Sequence, residues 1–229
     1  TLGSVQVVAR PFTPTLFEGM TPATGEAGGL RLTAYRPPAA PVPAGDDLEL
    51  RLGWEVTAPL TGSDLTLTLD GQPPLVLPAL AADALPMAQP GDRFVTVVRV
   101  PTAPQANGPA NLTVQVGAQR AFATAVRIDG RPLVLQPPTV STTHGAQFGT
   151  GIELYGSSLQ PGQATSGATV TLRLVWHPTE RVTERYKVFV HLLDERGNVV
   201  AQHDGEPAAN GLRTSRWAAG EYVEDVHPL

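Results

Sequence analysis

Six side chains between positions 203 and 222 could do chemistry: His203, Asp204, Glu206, Arg213, Trp217 and Tyr222. Asp204 and Glu206 offer hard oxygen ligands of the kind calcium takes, and Trp217 with Tyr222 offers flat apolar faces for a sugar ring. Placed just after a predicted strand, at an end of a sandwich where binding residues collect, they describe a carbohydrate or cation site. The plainer reading is a loop tied down by its own hydrogen bonds, with Arg213 pairing to a carboxylate and Trp217 packing the end of the core. Calcium lacks the D-x-D-x-D-G loop that would specify it, and no other cofactor is suggested.

Other reactive types are scattered. A carboxylate-based glycoside hydrolase would need two carboxyl groups about 5 to 10 Å apart, for which Asp204 with Glu221 or Asp225 are the available pairs. His191 lies in a predicted strand with no second histidine at ligand spacing, and His144, His177 and Glu180 have no recognisable partners. No G-x-S-x-G occurs, and Ser157-Ser158 after Gly156 lacks the strand-to-helix setting of such a nucleophile. The sequence therefore reads as non-enzymatic. Cysteine is absent, which removes disulfides, thiolate metal sites and a cysteine nucleophile. With 16 Lys plus Arg against 21 Asp plus Glu and no basic stripe, nucleic acid is not an expected partner. Lys187 is the single lysine. No apolar run approaches the roughly 20 residues that cross a bilayer, and Thr1 to Val8 lack a signal-peptide layout.

The elements that position these residues are strands. Gly and Pro, 23 of each in 229 residues, interrupt helices throughout, and Pro86 with Pro90 limits the one helical candidate, Ala79 to Ala88, to about two turns. Val170, Leu172, Leu174 and Trp176 alternate with polar residues, as do Leu65, Leu67 and Leu69. Tyr186 to Leu193 and Asn198 to Gln202 flank the turn Asp194-Glu195-Arg196-Gly197 as a hairpin, and further strands are expected at Phe94 to Val100, Leu112 to Val116 and Ala121 to Ile128. The sequon Asn111-Leu112-Thr113 falls inside one of them.

The chain also matches itself. Gly29 to Trp54 aligns without gaps to Gly151 to Trp176 at an offset of 122, pairing Leu50, Arg51, Leu52 and Trp54 with Leu172, Arg173, Leu174 and Trp176. Arg10-Pro11-Phe12 matches Arg131-Pro132-Leu133, and Gly91-Asp92 matches Gly220-Glu221 at an offset of 129. The expectation is an all-β chain of two tandem antiparallel, immunoglobulin-like β-sandwiches, residues 1–128 and 129–229, from an internal duplication. Trp54 and Trp176 are their equivalent core anchors. Val226 aligns with Val97, so the second copy is expected to lack its last strands, with the pairing supplied by further chain, by a neighbour or by the first copy.

Tyr186 to Asp194, Gln202 to Pro207, Thr214 to Glu221 and Asp225 to Leu229 resemble the extracytoplasmic β-sandwich region of Chloroflexus-type multi-pass membrane proteins, many labelled dolichyl-phosphate-mannose mannosyltransferase-like glycosyltransferases. The resemblance covers residues 186–229 well and 131–176 loosely. It brings no catalytic residues, and in that family the segment runs on into a Pro-Gly-x-Tyr hairpin that this chain lacks. It implies an extracytoplasmic, non-catalytic spacer or interaction module of a larger surface or membrane-anchored protein, with a carbohydrate or another protein as partner. Beside it stand a carbohydrate-binding module around His203 to Glu206 and Trp217, the carboxylate hydrolase, and strand-mediated self-association.

Overall fold

The computed structural model describes residues 5–6, 14–60 and 62–229. Arg10-Pro11-Phe12 and most of Thr1 to Val8 lie outside these. The protein is all-β: the described residues hold sixteen strands, three 3₁₀ turns and no α-helix. Of the one helical candidate, Ala79 to Ala88, only the turn Leu85–Met87 forms. No helix is long and apolar enough to cross a membrane among the described residues. The chain divides into two compact units, Thr1–Gly130 and Arg131–Leu229.

The first unit is a two-sheet sandwich. One sheet comprises β1 (Val5–Gln6), β2 (Thr21–Ala27), β3 (Leu30–Arg36), β5 (Asp47–Val56) and β8 (Arg93–Pro101), in the order β1-β8-β5-β3-β2. The other comprises β4 (Val42–Pro43), β6 (Asp64–Leu69), β7 (Leu75–Pro78), β9 (Gly108–Val116) and β10 (Gln119–Asp129), in the order β4-β10-β9-β6-β7. Alternation explains the core. Leu48, Leu50, Leu52, Trp54 and Val56 of β5 face Leu65, Leu67 and Leu69 of β6 and Leu112, Val114 and Val116 of β9, all buried in one cluster. The sheets approach closely at β2 and β10: a Cβ on Gly25 would stand 1.7 Å from the carbonyl oxygen of Ala121, so only glycine fits there. The sequon is part of β9, where the Asn111 amide donates to Asp70 Oδ2 at 2.9 Å.

The second unit repeats the first sheet's order with β11 (Thr142–Phe148), β12 (Ile152–Gln160), β13 (Thr171–Pro178) and β16 (Val223–Pro228), arranged β11-β12-β13-β16. The registers correspond in detail. Leu32 pairs with Trp54 before a shift at Ala34, and Leu154 pairs with Trp176 before a shift at Gly156. Leu52 pairs with Thr96, and Leu174 with Asp225. Against this sheet lies the hairpin β14 (Val188–Leu193) and β15 (Val199–Gly205), and Val188 and Val190 join Ile152, Leu174, Trp176, Trp217 and Val223 in a second core.

The two units differ in how the second sheet is completed. In the first unit β6 pairs with β7 on one side and β9 on the other. In the second, β14 pairs with β15 alone among the described residues, and the hairpin exposes Phe189, Leu192, Leu193, Val199 and Val200, each by 41% or more.

Two outcomes are expected. Trp54→Ala, which empties a fully buried site, costs about 3–5 kcal/mol, read as a lower urea midpoint for the first unit. At the β14–β15 turn the Asp194 carboxyl is held below its ordinary value of 3.8, chiefly by the Asn198 side-chain amide and then by backbone N–H donors. The unfolded chain takes up that proton more readily, so the stabilisation is complete above about pH 4 and disappears as pH falls through the folded value. Asn198→Ala should reduce this acid-side loss in a pH series of unfolding midpoints.

Candidate functional site

The polar centre of the second unit is Asp225, in the middle of β16 and 1% exposed. A buried carboxylate persists only where donors replace its lost hydration. Three donors do so here. Trp176 Nε1 donates to Oδ2 at 3.3 Å, His227 Nε2 reaches the same oxygen at 2.9 Å, and the backbone N–H of Ala208 donates to Oδ1 at 2.9 Å. His227, 2% exposed, faces inward like Asp225 because both stand at alternate positions of β16. Its Nδ1 lies 2.9 Å from Nδ1 of His203 on β15. With Nε2–H of His227 given to the carboxylate, its Nδ1 accepts from His203 when both rings are neutral, which leaves the lone pair on His203 Nε2. The result is a chain from the buried carboxylate to a half-buried imidazole, joining the four-stranded sheet to the hairpin. No hydroxyl is hydrogen-bonded to His203 among the described residues.

The connection after β15 is bent to reach this carboxylate. Ala208, Ala209 and Asn210 take φ of 52°, 54° and 65°, three successive non-glycine residues in the left-handed region. That conformation costs roughly 1–2 kcal/mol per residue. It is held by Ala208 N–H on Asp225, by Asn210 Oδ1 accepting from Glu206 N–H at 2.8 Å, and by Asn210 N–H on the Glu206 carbonyl at 3.0 Å.

The six residues singled out in the sequence are not assembled as one loop site. Strand β15 runs through Gly205, so His203 and Asp204 are in the strand and point to opposite faces. His203 turns inward to His227, and Asp204 turns outward to His191, 3.6 Å away on the neighbouring strand. Glu206 is taken by Arg185, Nη2 to Oε1 at 2.5 Å, so Asp204 and Glu206 do not form a shared oxygen set for calcium. Trp217 is 1% exposed and its Nε1 donates to the Leu212 carbonyl at 3.3 Å, so its indole is core and no open platform for a sugar. Arg213 is exposed and caps the turn Thr214–Arg216 through its carbonyl, which accepts from Arg216 N–H at 2.9 Å. Tyr222 stacks on His177 at 4.4 Å with Tyr155 edge-on at 5.1 Å.

The carboxylates weighed for hydrolysis are equally committed. Glu221, 1% exposed, meets the guanidinium fork of Arg131 and accepts Ala218 N–H at 2.6 Å. His144 Nε2 is 2.8 Å from Ser157 Oγ on the edge pair β11–β12. Among the described residues no group of three or more histidine and carboxylate side chains is placed to hold a metal ion. His227 is the residue that sequence reasoning missed. The offset of 129 that equates Gly91 with Gly220 also equates Thr96 with Asp225 and Val98 with His227, and would have shown two inward positions turned polar or charged.

Compared with protein-family models, with curated proteins and with solved structures, the chain has no match.

Removing the acceptor should be costly and relieving the turn should not. Asp225→Ala leaves three donors without their acceptor, two of them buried, with an expected loss of about 3–5 kcal/mol in chemical unfolding of the second unit. Ala209→Gly, at an exposed left-handed position, should instead raise stability by roughly 1 kcal/mol, the reverse of the usual effect of glycine in a folded chain.

Proposed function

We propose that this chain is a tandem β-sandwich interaction module whose second unit binds an extended β-strand with alternating apolar residues along the open edge of β14. The observation that carries this is the difference between the units: β6 has β9 beside it, and β14 has only β15 among the described residues. In the first unit that place is filled by Leu112, Val114 and Val116, every second residue of β9. In the second the hairpin leaves Leu192 41% and Phe189 67% exposed, and an open strand edge beside apolar side chains is a template for strand addition. The equivalent registers at Trp54 and Trp176 support reading the units as copies of one sandwich, so that the first serves as the pattern for what completes the second.

An extracytoplasmic place, as spacer of a larger surface or membrane-anchored protein, rests on the resemblance of residues 186–229. The carbohydrate-binding reading loses its main support with the burial of Trp217.

A peptide spanning residues 108–116, the strand that fills this place in the first unit, is a direct probe. Added to the full chain, it should slow amide hydrogen exchange across Val188 to Leu193, and Leu192→Lys, a change at an exposed position, should remove the protection. Unchanged exchange at millimolar peptide, or protection indifferent to Leu192→Lys, would overturn the proposal. Concentration-dependent sedimentation separates a second copy of this chain as the strand donor from an outside partner.

A further inference from the structure

A second feature of the Arg131–Leu229 unit lies at the start of β14, where Val188 is part of its lining. A cleft of about 260 Å³ opens between the β11–β12 turn and the start of β14, walled by Phe148, Ile152, Trp176, Tyr186, Lys187 and Trp217. That volume falls just under the range for drug-sized ligands, so one or two fused rings would fill it. Phe148 and Tyr186, 50% and 48% exposed, flank its mouth, and Phe148 meets Trp176 edge-on at 5.4 Å.

The polar groups on its walls are nearly all spent. Trp176 Nε1 donates to Asp225, and Trp217 Nε1 to Leu212. Thr214 Oγ1 accepts from Tyr186 N–H at 2.9 Å and donates to the Glu184 carbonyl at 2.5 Å. A neutral sugar, which needs several hydrogen bonds, would find little to bind. What is left is the phenol of Tyr186 and the ammonium of Lys187, the only lysine in the protein, with no carboxylate paired to it among the described residues. A basic group on the rim of an aromatic cleft, with a phenol beside it and few other polar atoms to spare, is complementary to a flat apolar body carrying one negative charge.

We infer that this cleft binds a small aromatic carboxylate, its ring between Phe148 and Tyr186 over the buried indoles and its carboxylate on Lys187.

The probes are 2-naphthoate and its neutral isostere 2-naphthamide, titrated calorimetrically into the full chain. Naphthoate should bind saturably and at least tenfold more tightly than the amide. Lys187→Met, which keeps the length of an exposed side chain, should abolish that preference by weakening naphthoate while leaving the amide unchanged. Because there is one lysine, naphthoate should also slow reductive methylation at Lys187, read as a single mass shift on its peptide. Equal affinity for the two probes, no saturable binding of either at millimolar concentration, or a preference that survives Lys187→Met would overturn the inference. The peptide 108–116 should bind regardless of Lys187→Met, so failure of this site and failure of the β14 edge are read separately.

Discussion

The arrangement of the second unit depends on one buried charge. Asp225 has given up hydration worth several kcal/mol, and the loss is offset only if its donors stay where they are. Those donors come from three places: an indole on the adjacent strand, a histidine two residues along the same strand, and the backbone of the turn after the hairpin. One carboxylate therefore fixes the orientation of Trp176, the inward pose of His227 and the left-handed path of residues 208–210. In the first unit the same slot holds Thr96, whose hydroxyl donates to the Ala79 carbonyl at 2.7 Å, and the equivalent Trp54 has its Nε1 buried without a partner among the described residues. The neutral link there ties β8 to the Ala79 carbonyl and leaves the indole N–H without the acceptor that Trp176 has. Stability in the first comes instead from the larger apolar cluster.

That contrast extends to the cores. The first unit packs two sheets of five strands and leaves its inward leucines wholly buried. The second packs four strands against two, so Leu192 stays exposed where its counterparts on β6 are covered, and half-exposed aromatics border a cleft. Where apolar area goes uncovered, polar contacts carry more of the specification of the fold. Asp225 with His227, and Glu221 with Arg131, lie in the second unit.

Much of this was legible in the sequence. The period-2 leucines of β6 and β13 announced strands with one buried face, and the offset of 122 set Trp54 against Trp176, whose registers match. What failed did so for physical reasons. Strand β11 was not foreseen because every residue in it is exposed and no alternation exists to read. β2 carries Pro22 and Gly25, which read as breakers, although the glycine is there for close approach to β10. His203 to Gly205 looked like a loop because Asp and Gly disfavour strands, yet cross-strand pairing to Val188, Phe189 and Val190 overrides that preference. Trp217 showed its type and not its direction, since a three-residue turn has no periodicity from which to infer a face. The single lysine was visible as a count; its place beside a cleft required the fold.

The left-handed turn also bears on the order in which the second unit is built. Chains emerge from their amino-terminal side, so the hairpin and the turn at 208–210 exist before the strand that contains residue 225. Until that strand arrives, the Ala208 N–H has no carboxylate to donate to and the turn has no tertiary reason to keep its unfavourable backbone. The indole of Trp176 waits likewise. Locking of the second unit is therefore deferred until β16 arrives, while the first, whose pairings among the described residues all fall within its own residues, is free to fold on its own clock.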